Sequence, residues 1–146
     1  MGRRATVGYS GTVSDRVVET LASAVAARVP GIVVLYLFGS RARGDGAADS
    51  DIDLAVLAQN RLDPVERWKL QEDLAALAHR NVDLVDLRQA STVMRVEVLR
   101  DAVLLLDPQP SPRAAFEAFA LSSYARLNEE RREILNDVRA RGRVHG

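Results

Sequence analysis

Two apolar runs and the polar stretch between them limit this chain more than any other feature. Ile32 to Phe38 is apolar throughout and runs into Gly39-Ser40; ten residues later Asp51-Ile52-Asp53 heads a second apolar run that ends at Ala58. A short continuous apolar run suits a strand covered on both faces. On a strand the side chains alternate, so Asp51 and Asp53 share a face, roughly 6.6 Å apart along the chain, while Ile52, Leu54 and Val56 turn the other way. Two carboxylates held side by side repel and raise each other's pKa unless a cation sits between them. Mg²⁺ prefers one or two carboxylates together with phosphate oxygens. Gly39 lets the backbone come close to a ligand, and a helix opening after Ser40 would aim its free N–H groups at a phosphate. Arg41 and Arg43 either add charge-assisted hydrogen bonds to that phosphate or point to solvent. The pattern reads as a metal–nucleotide site.

A third acid belongs to the later run Val82-Asp83-Leu84-Val85-Asp86-Leu87. A carboxylate inside an otherwise apolar strand costs several kcal/mol, on the order of 2–7 for a polar group and more for a charge, unless it is paired or metal-bound. That favours Asp83. Asp86 is the competing candidate, nearer the strand's end, where solvent is expected to relieve it.

Gly39-Ser40, ten residues, Asp51-x-Asp53 and a later apolar-Asp-apolar strand together resemble the polymerase-β-type nucleotidyltransferase superfamily. More narrowly, they resemble its minimal nucleotidyltransferases, the MntA-type antitoxins of prokaryotic HEPN–MNT toxin–antitoxin pairs. The run from Val82 to Asp107 and a late helix bearing Phe116, Glu117, Ala120, Leu121 and Tyr124 extend the similarity over roughly residues 15 to 135. The resemblance implies an α/β (α+β) fold, a small mixed sheet with flanking helices and a long C-terminal helix. It implies catalytic, metal-binding acids at Asp51, Asp53 and Asp83, and nucleotide binding at Gly39, Ser40, Arg41 and Arg43. Two Mg²⁺ ions, or Mn²⁺, would serve as cofactors and ATP as substrate. AMP would pass to a hydroxyl of a protein acceptor, a tyrosine of a HEPN ribonuclease toxin, with Asp83 as metal ligand or as base.

Other readings of the same residues fail on their own terms. Asp49-Ser50-Asp51-Ile52-Asp53 opens like a calcium loop, but Leu54 and Asn60 stand where that loop needs Gly and Glu. Arg43-Gly44-Asp45 spells an integrin tripeptide in a chain without cysteine, and carries no weight. No Gly-x₄-Gly-Lys-Ser/Thr motif is present. An Asp-rich turn before an ordinary half-buried strand leaves Gly39-Ser40 and Asp83 unexplained together.

Composition narrows the partners. The 146 residues suit one compact domain, expected over residues 14–141 with flexible ends at 1–13 and 142–146. Formal net charge is zero, so no basic field argues for direct nucleic-acid binding. Without cysteine there is no disulfide framework. Met1 to Gly11 lacks an apolar signal core and no run approaches membrane-spanning length, so a cytoplasmic protein with no membrane partner is expected.

The remaining elements follow from periodicity and punctuation. Ser14 is a candidate N-cap for a helix whose face is Val17, Val18, Leu21, Ala22, Val25 and Val29, stopped by Pro30-Gly31. Asp63-Pro64-Val65-Glu66 is a helix start of the capping-box kind. That helix is expected to reach Arg80, bury Leu70, Leu74 and Leu77, and pack Trp68 beside the core. Ala90 to Arg100 predicts a helix with Val93, Val96 and Leu99 on one side, and Val103 to Leu106 an edge strand. Asp107 to Pro112, with three prolines, predicts a stiff connector, Ser111 and Pro112 then opening the final helix. Phe116, Phe119, Ala120 and Tyr124 are expected to return to the core, and 139–146 to fray.

The acceptor is the least constrained part. About forty residues follow the last strand, too few for a separate acceptor-binding domain. An open catalytic face then suits a macromolecule that brings its own surface. A homo-oligomer is possible, and two rivals remain: transfer to a small aminoglycoside-like acceptor, with a site shared across a homodimer, and a non-catalytic antitoxin that acts by binding alone. Glu129, Glu130, Glu133 and Asp137 offer the first rival a weak acidic cluster. Interleaved Arg131 and Arg132 read instead as helical salt bridges.

Overall fold

Residues 15–44 and 51–144 are described by the computed structural model. The Ser14 cap, the lead at 1–13, the Asp49-Ser50 and Asp45 readings, and residues 145–146 lie outside the described residues. Four strands, β1 (Ile32–Phe38), β2 (Ile52–Ala58), β3 (Val82–Asp86) and β4 (Val103–Leu106), form one sheet in the order β3-β2-β1-β4. The central pair β1–β2 and the outer pair β1–β4 are antiparallel and the other outer pair, β2–β3, is parallel, so the sheet is mixed as expected. β2 and β3 are parallel because helix α3 (Pro64–Ala78) carries the chain back between them.

Alternation along each strand divides the core into two layers. Leu35, Leu37, Leu54, Val56 and Leu84 face α1 (Asp15–Arg28) and α3, whose Val18, Leu21, Val25, Leu70 and Leu74 are buried against them. Val34, Tyr36, Ala55, Leu57 and Leu87 face α4 (Thr92–Asp101) and α5 (Pro110–Val144), which contribute Val98 and Phe116. Apolar strands thus have helices over both faces, as the unbroken runs required.

Several helical faces differ from the expectation. In α3 the buried positions are Leu70, Leu74 and Ala78, while Leu77 is 49 % exposed and Trp68 55 % exposed. The chain leaves the helix at His79, a left-handed residue at φ 55°, so the last turn is spent closing onto β3 with the small Ala78 inward. In α4 the buried residue is Val98, with Met94 and Leu99 partly buried, and Val93 lies exposed. α5 buries Phe116 and Ala120, with Tyr124 half-buried, but leaves Phe119 62 % exposed. Pro110 and Pro112 lie in the first turn of α5 rather than in a separate connector; first-turn prolines forfeit no intrahelical bond. The helix runs to Val144, past the expected fraying point.

One polar network crosses the α5 layer. Tyr36 donates to Glu117 Oε1 at 3.2 Å, and Arg113 bridges Glu117 and Asp107, the latter at 2.8 Å. Burial, reinforced by the Glu117 carboxylate, pushes the Tyr36 phenol far above its ordinary range. Tyr36 is therefore a protonated tie between sheet and helix, in keeping with its reading as a core residue.

Candidate active site

The Gly39 turn and Asp51 lie at the sheet end where β1 finishes and β2 and β3 begin. Phe38, the last residue of β1, pairs with Asp53. Gly39 then turns at φ 79°, ψ −160° into the single helical turn α2 (Ser40–Arg43). A Cβ on Gly39 would lie 2.3 Å from Asp53 Oδ2. The carboxylate therefore occupies the hollow that only glycine leaves, and turn and acid are in direct contact. The helix after Ser40 is one turn long, so backbone N–H groups rather than an extended dipole are what it offers an anion.

The acids come from two strands. Parallel pairing sets Asp53 opposite Asp83, both on the α4/α5 side of the sheet but beyond the cover of those helices. Asp83 is exposed and Asp53 half-buried. Asp51 precedes β2 and is exposed. Burial and then the charges of Asp83 and Asp51 push the Asp53 carboxyl above its ordinary range, and Arg43 partly opposes this. Among the described residues, no group of three or more His, Asp or Glu side chains is gathered closely enough to hold a metal ion by itself. An open pair with a third acid nearby suits an ion that takes the rest of its shell from water and phosphate. The donor set thus fits Mg²⁺: hard oxygens, and crowded negative charge that a cation would relieve.

Asp86 takes a different part. It is 5 % exposed and turns to the α3 side. Its carboxylate accepts from Leu62 N–H at 2.8 Å, Arg88 N–H at 3.0 Å and Gln89 Nε2 at 3.3 Å. Solvent was expected to relieve Asp86 and burial to single out Asp83; the exposures are reversed. Asp86 is a satisfied structural carboxylate that fastens the β2–α3 and β3–α4 connections.

The two arginines separate. Arg41 is 1 % exposed, and its Nε donates to the Asp51 carbonyl at 3.3 Å, tying α2 to the start of β2. Arg43 is exposed and reaches Asp101 at 3.4 Å. A pocket of about 400 Å³ opens over Asp53 and Asp83, with Phe38, Val85 and Met94 as its apolar wall and Arg67 and Gln71 at its rim. None of those five residues was singled out from sequence; Arg67 and Gln71, four apart on α3, carried a signal as polar residues flanking the buried Leu70 and Leu74. A second pocket of about 370 Å³, between Gly31 and Leu62 at the other end of the strands, contains none of the three acids.

The chain belongs to the polymerase-β nucleotidyltransferase family: residues 20–111 match the family described as polymerase beta, nucleotidyltransferase. Over 112 residues it is 41 % identical to the protein adenylyltransferase MntA of Shewanella oneidensis, spanning 77 % of this chain and 80 % of that one. A crystal structure of a toxin–antitoxin with AMP-PNP contains a chain 38 % identical, with a TM-score of 0.73 over 82 % of this chain and 97 % of that chain. A structure of tri-AMPylated Shewanella oneidensis HEPN toxin in complex with MNT antitoxin gives 34 % identity and a TM-score of 0.72, covering 85 % and 97 %. Among the described residues no helix is long and apolar enough to cross a membrane.

Proposed function

We propose that this chain is an antitoxin enzyme that transfers AMP from ATP to a tyrosine hydroxyl of a HEPN-type ribonuclease toxin. The observation that carries the reading is the pair of facing carboxylates, Asp53 and Asp83, in one pocket with the Gly39 turn packed against Asp53. The relatives named above, an adenylyltransferase and an antitoxin seated on an AMPylated toxin, supply the acceptor class. One domain over residues 14–141 acts in the cytoplasm, where ATP is supplied.

Gly39 and Ser40 receive the triphosphate, and Arg43, whose charge already acts on Asp53, meets the negative charge it brings. Asp51, Asp53 and Asp83 are the residues that would hold Mg²⁺ or Mn²⁺. Such an ion, when bound, would supply charge screening of the phosphates and a lower pKa for the acceptor hydroxyl. Asp83, exposed on the pocket floor, orients that hydroxyl and takes up its proton. The acceptor oxygen forms a bond to the α-phosphorus as the bond from that phosphorus to the β-phosphate bridge breaks, and pyrophosphate leaves. A phosphate charge added near the toxin's RNA-cleaving centre would repel RNA.

The test is incubation of the purified chain with α-labelled ATP, Mg²⁺ and the HEPN protein encoded beside it. Label should pass to a tyrosine of the partner with release of pyrophosphate, and Asp53→Asn should transfer none. Suppression of the partner's ribonuclease without any label would show binding-only neutralisation and overturn the reading.

A further inference from the structure

Strand β3 is an edge of the sheet, and in a parallel ladder alternate residues turn both main-chain groups to the same side. On β3 the groups of Leu84 point away from β2, at the open edge. They are not left to solvent. Gln71 Oε1 accepts from Leu84 N–H at 2.9 Å, and Arg67 Nη1 donates to the Leu84 carbonyl at 3.0 Å. The same Arg67 nitrogen donates to Gln71 Oε1 at 3.3 Å, so the two side chains brace one another one helical turn apart.

We infer that Arg67 and Gln71 form a side-chain clamp on the Leu84 peptide that holds Asp83 in register with Asp53, making them positioning residues for the transfer reaction. The inference rests on the reading of Asp83 given above. An exposed edge strand frays readily, yet Asp83 must keep its carboxylate opposite Asp53 although the two repel. Asp83 is the residue next to the clamped peptide, and Arg67 and Gln71 border the pocket that contains both acids. Outer partners that orient metal-binding side chains carry effects of about 10–100-fold in affinity or activity.

The test uses Gln71→Leu, Arg67→Met and Arg67→Lys in the full chain, with Asp73→Asn as a control; Asp73 lies on the same helix but pairs with the exposed Arg28 at 2.7 Å. Amide hydrogen exchange at Leu84, read by NMR without metal or nucleotide, should speed by about tenfold or more in Gln71→Leu and Arg67→Met. It should stay unchanged in Asp73→Asn and recover in Arg67→Lys, whose ammonium can still donate to the carbonyl. With ATP and toxin, kcat should fall about 10–100-fold and the Mg²⁺ needed for half-maximal rate should rise, while KM for ATP stays within about twofold. Faster exchange with an unaltered kcat would overturn the inference, as would unaltered exchange. A rise confined to KM for ATP would overturn it too, making Arg67 a nucleotide contact. Should the wild-type chain transfer nothing, the proposed function fails by itself. The exchange rates and the Mg²⁺ dependence of AMP-PNP binding then decide the clamp separately: faster exchange with weaker Mg²⁺ dependence supports it, and no change in either overturns it.

Discussion

Gly39 and Asp53 compete for one space, and the consequences of substituting either can be stated separately. Gly39→Ala places a methyl 2.3 Å from Asp53 Oδ2 and asks an L-residue to adopt φ 79°. The backbone alone should cost about 1–3 kcal/mol, seen as a lower midpoint in urea, and transfer should fall by more than about 100-fold as Asp53 is displaced. A wild-type rate in Gly39→Ala would show that the carboxylate need not sit against the turn. Asp53→Asn acts in the opposite sense on stability. The Asp53 carboxyl is raised above its ordinary value, first by burial and then by Asp83 and Asp51, so the folded state holds that proton more tightly than the unfolded chain. The ionised group therefore weakens the fold at pH above its raised pKa. That cost begins to shrink as pH falls through the raised value and is gone below the unfolded value of about 4. Without metal, Asp53→Asn should melt above wild type at pH 7, the curves meeting in acid. Mg²⁺ with AMP-PNP should reverse the order, because only the wild type gains binding energy. A mutant that melts below wild type at pH 7 without metal would refute the crowding.

At the scale of elements, β3 carries two aspartates with opposite duties. Asp83 faces the pocket and Asp86 faces α3 and accepts three hydrogen bonds. Asp83→Asn should abolish transfer with the melting temperature nearly unchanged. Asp86→Ala should cost about 3 kcal/mol, because two main-chain N–H groups lose a charged acceptor, yet keep most of its rate per folded molecule at low temperature. Paired melts and single-turnover rates check this; a dead but stable Asp86 variant would reverse the assignment. Sequence pattern located both residues and the strand bearing them. It could not tell their environments apart, since alternation places 83 and 86 on opposite faces without saying which face is closed. Strand limits and the Asp63 cap, whose side chain accepts from Glu66 N–H at 3.1 Å, were legible because they are local. The buried faces were legible only where neighbours cover a whole stripe. Leu77 and Phe119 follow the helical period but lie outside the area their sheet faces can cover. The clamp on Leu84 was invisible because it joins α3 side chains to an edge whose position depends on strand order.

For the whole molecule, the question is what a helix of 35 residues does on a sheet of four strands. Such a helix is about 52 Å long, well beyond the reach of strands of four to seven residues. Its burial stops early: Phe116 and Ala120 are its buried residues among those described, whereas Ile134, Leu135 and Val138 are each more than half exposed. The described side chains of 129–141 are all exposed, so on removing residues 129–146 the melting midpoint should stay within about 2 °C of the full chain. Binding of AMP-PNP should persist, because no residue of α5 lines the pocket over Asp53 and Asp83. Association should not persist equally. Three exposed aliphatic side chains within two turns are the kind of surface that contact with another protein buries. The affinity for the HEPN partner should fall at least about tenfold, and any self-association of the full chain should weaken, both read by light scattering and titration calorimetry. If the shortened chain instead binds its partner normally but loses the nucleotide, the distal helix serves the active site and the separation of catalysis from docking along α5 is wrong.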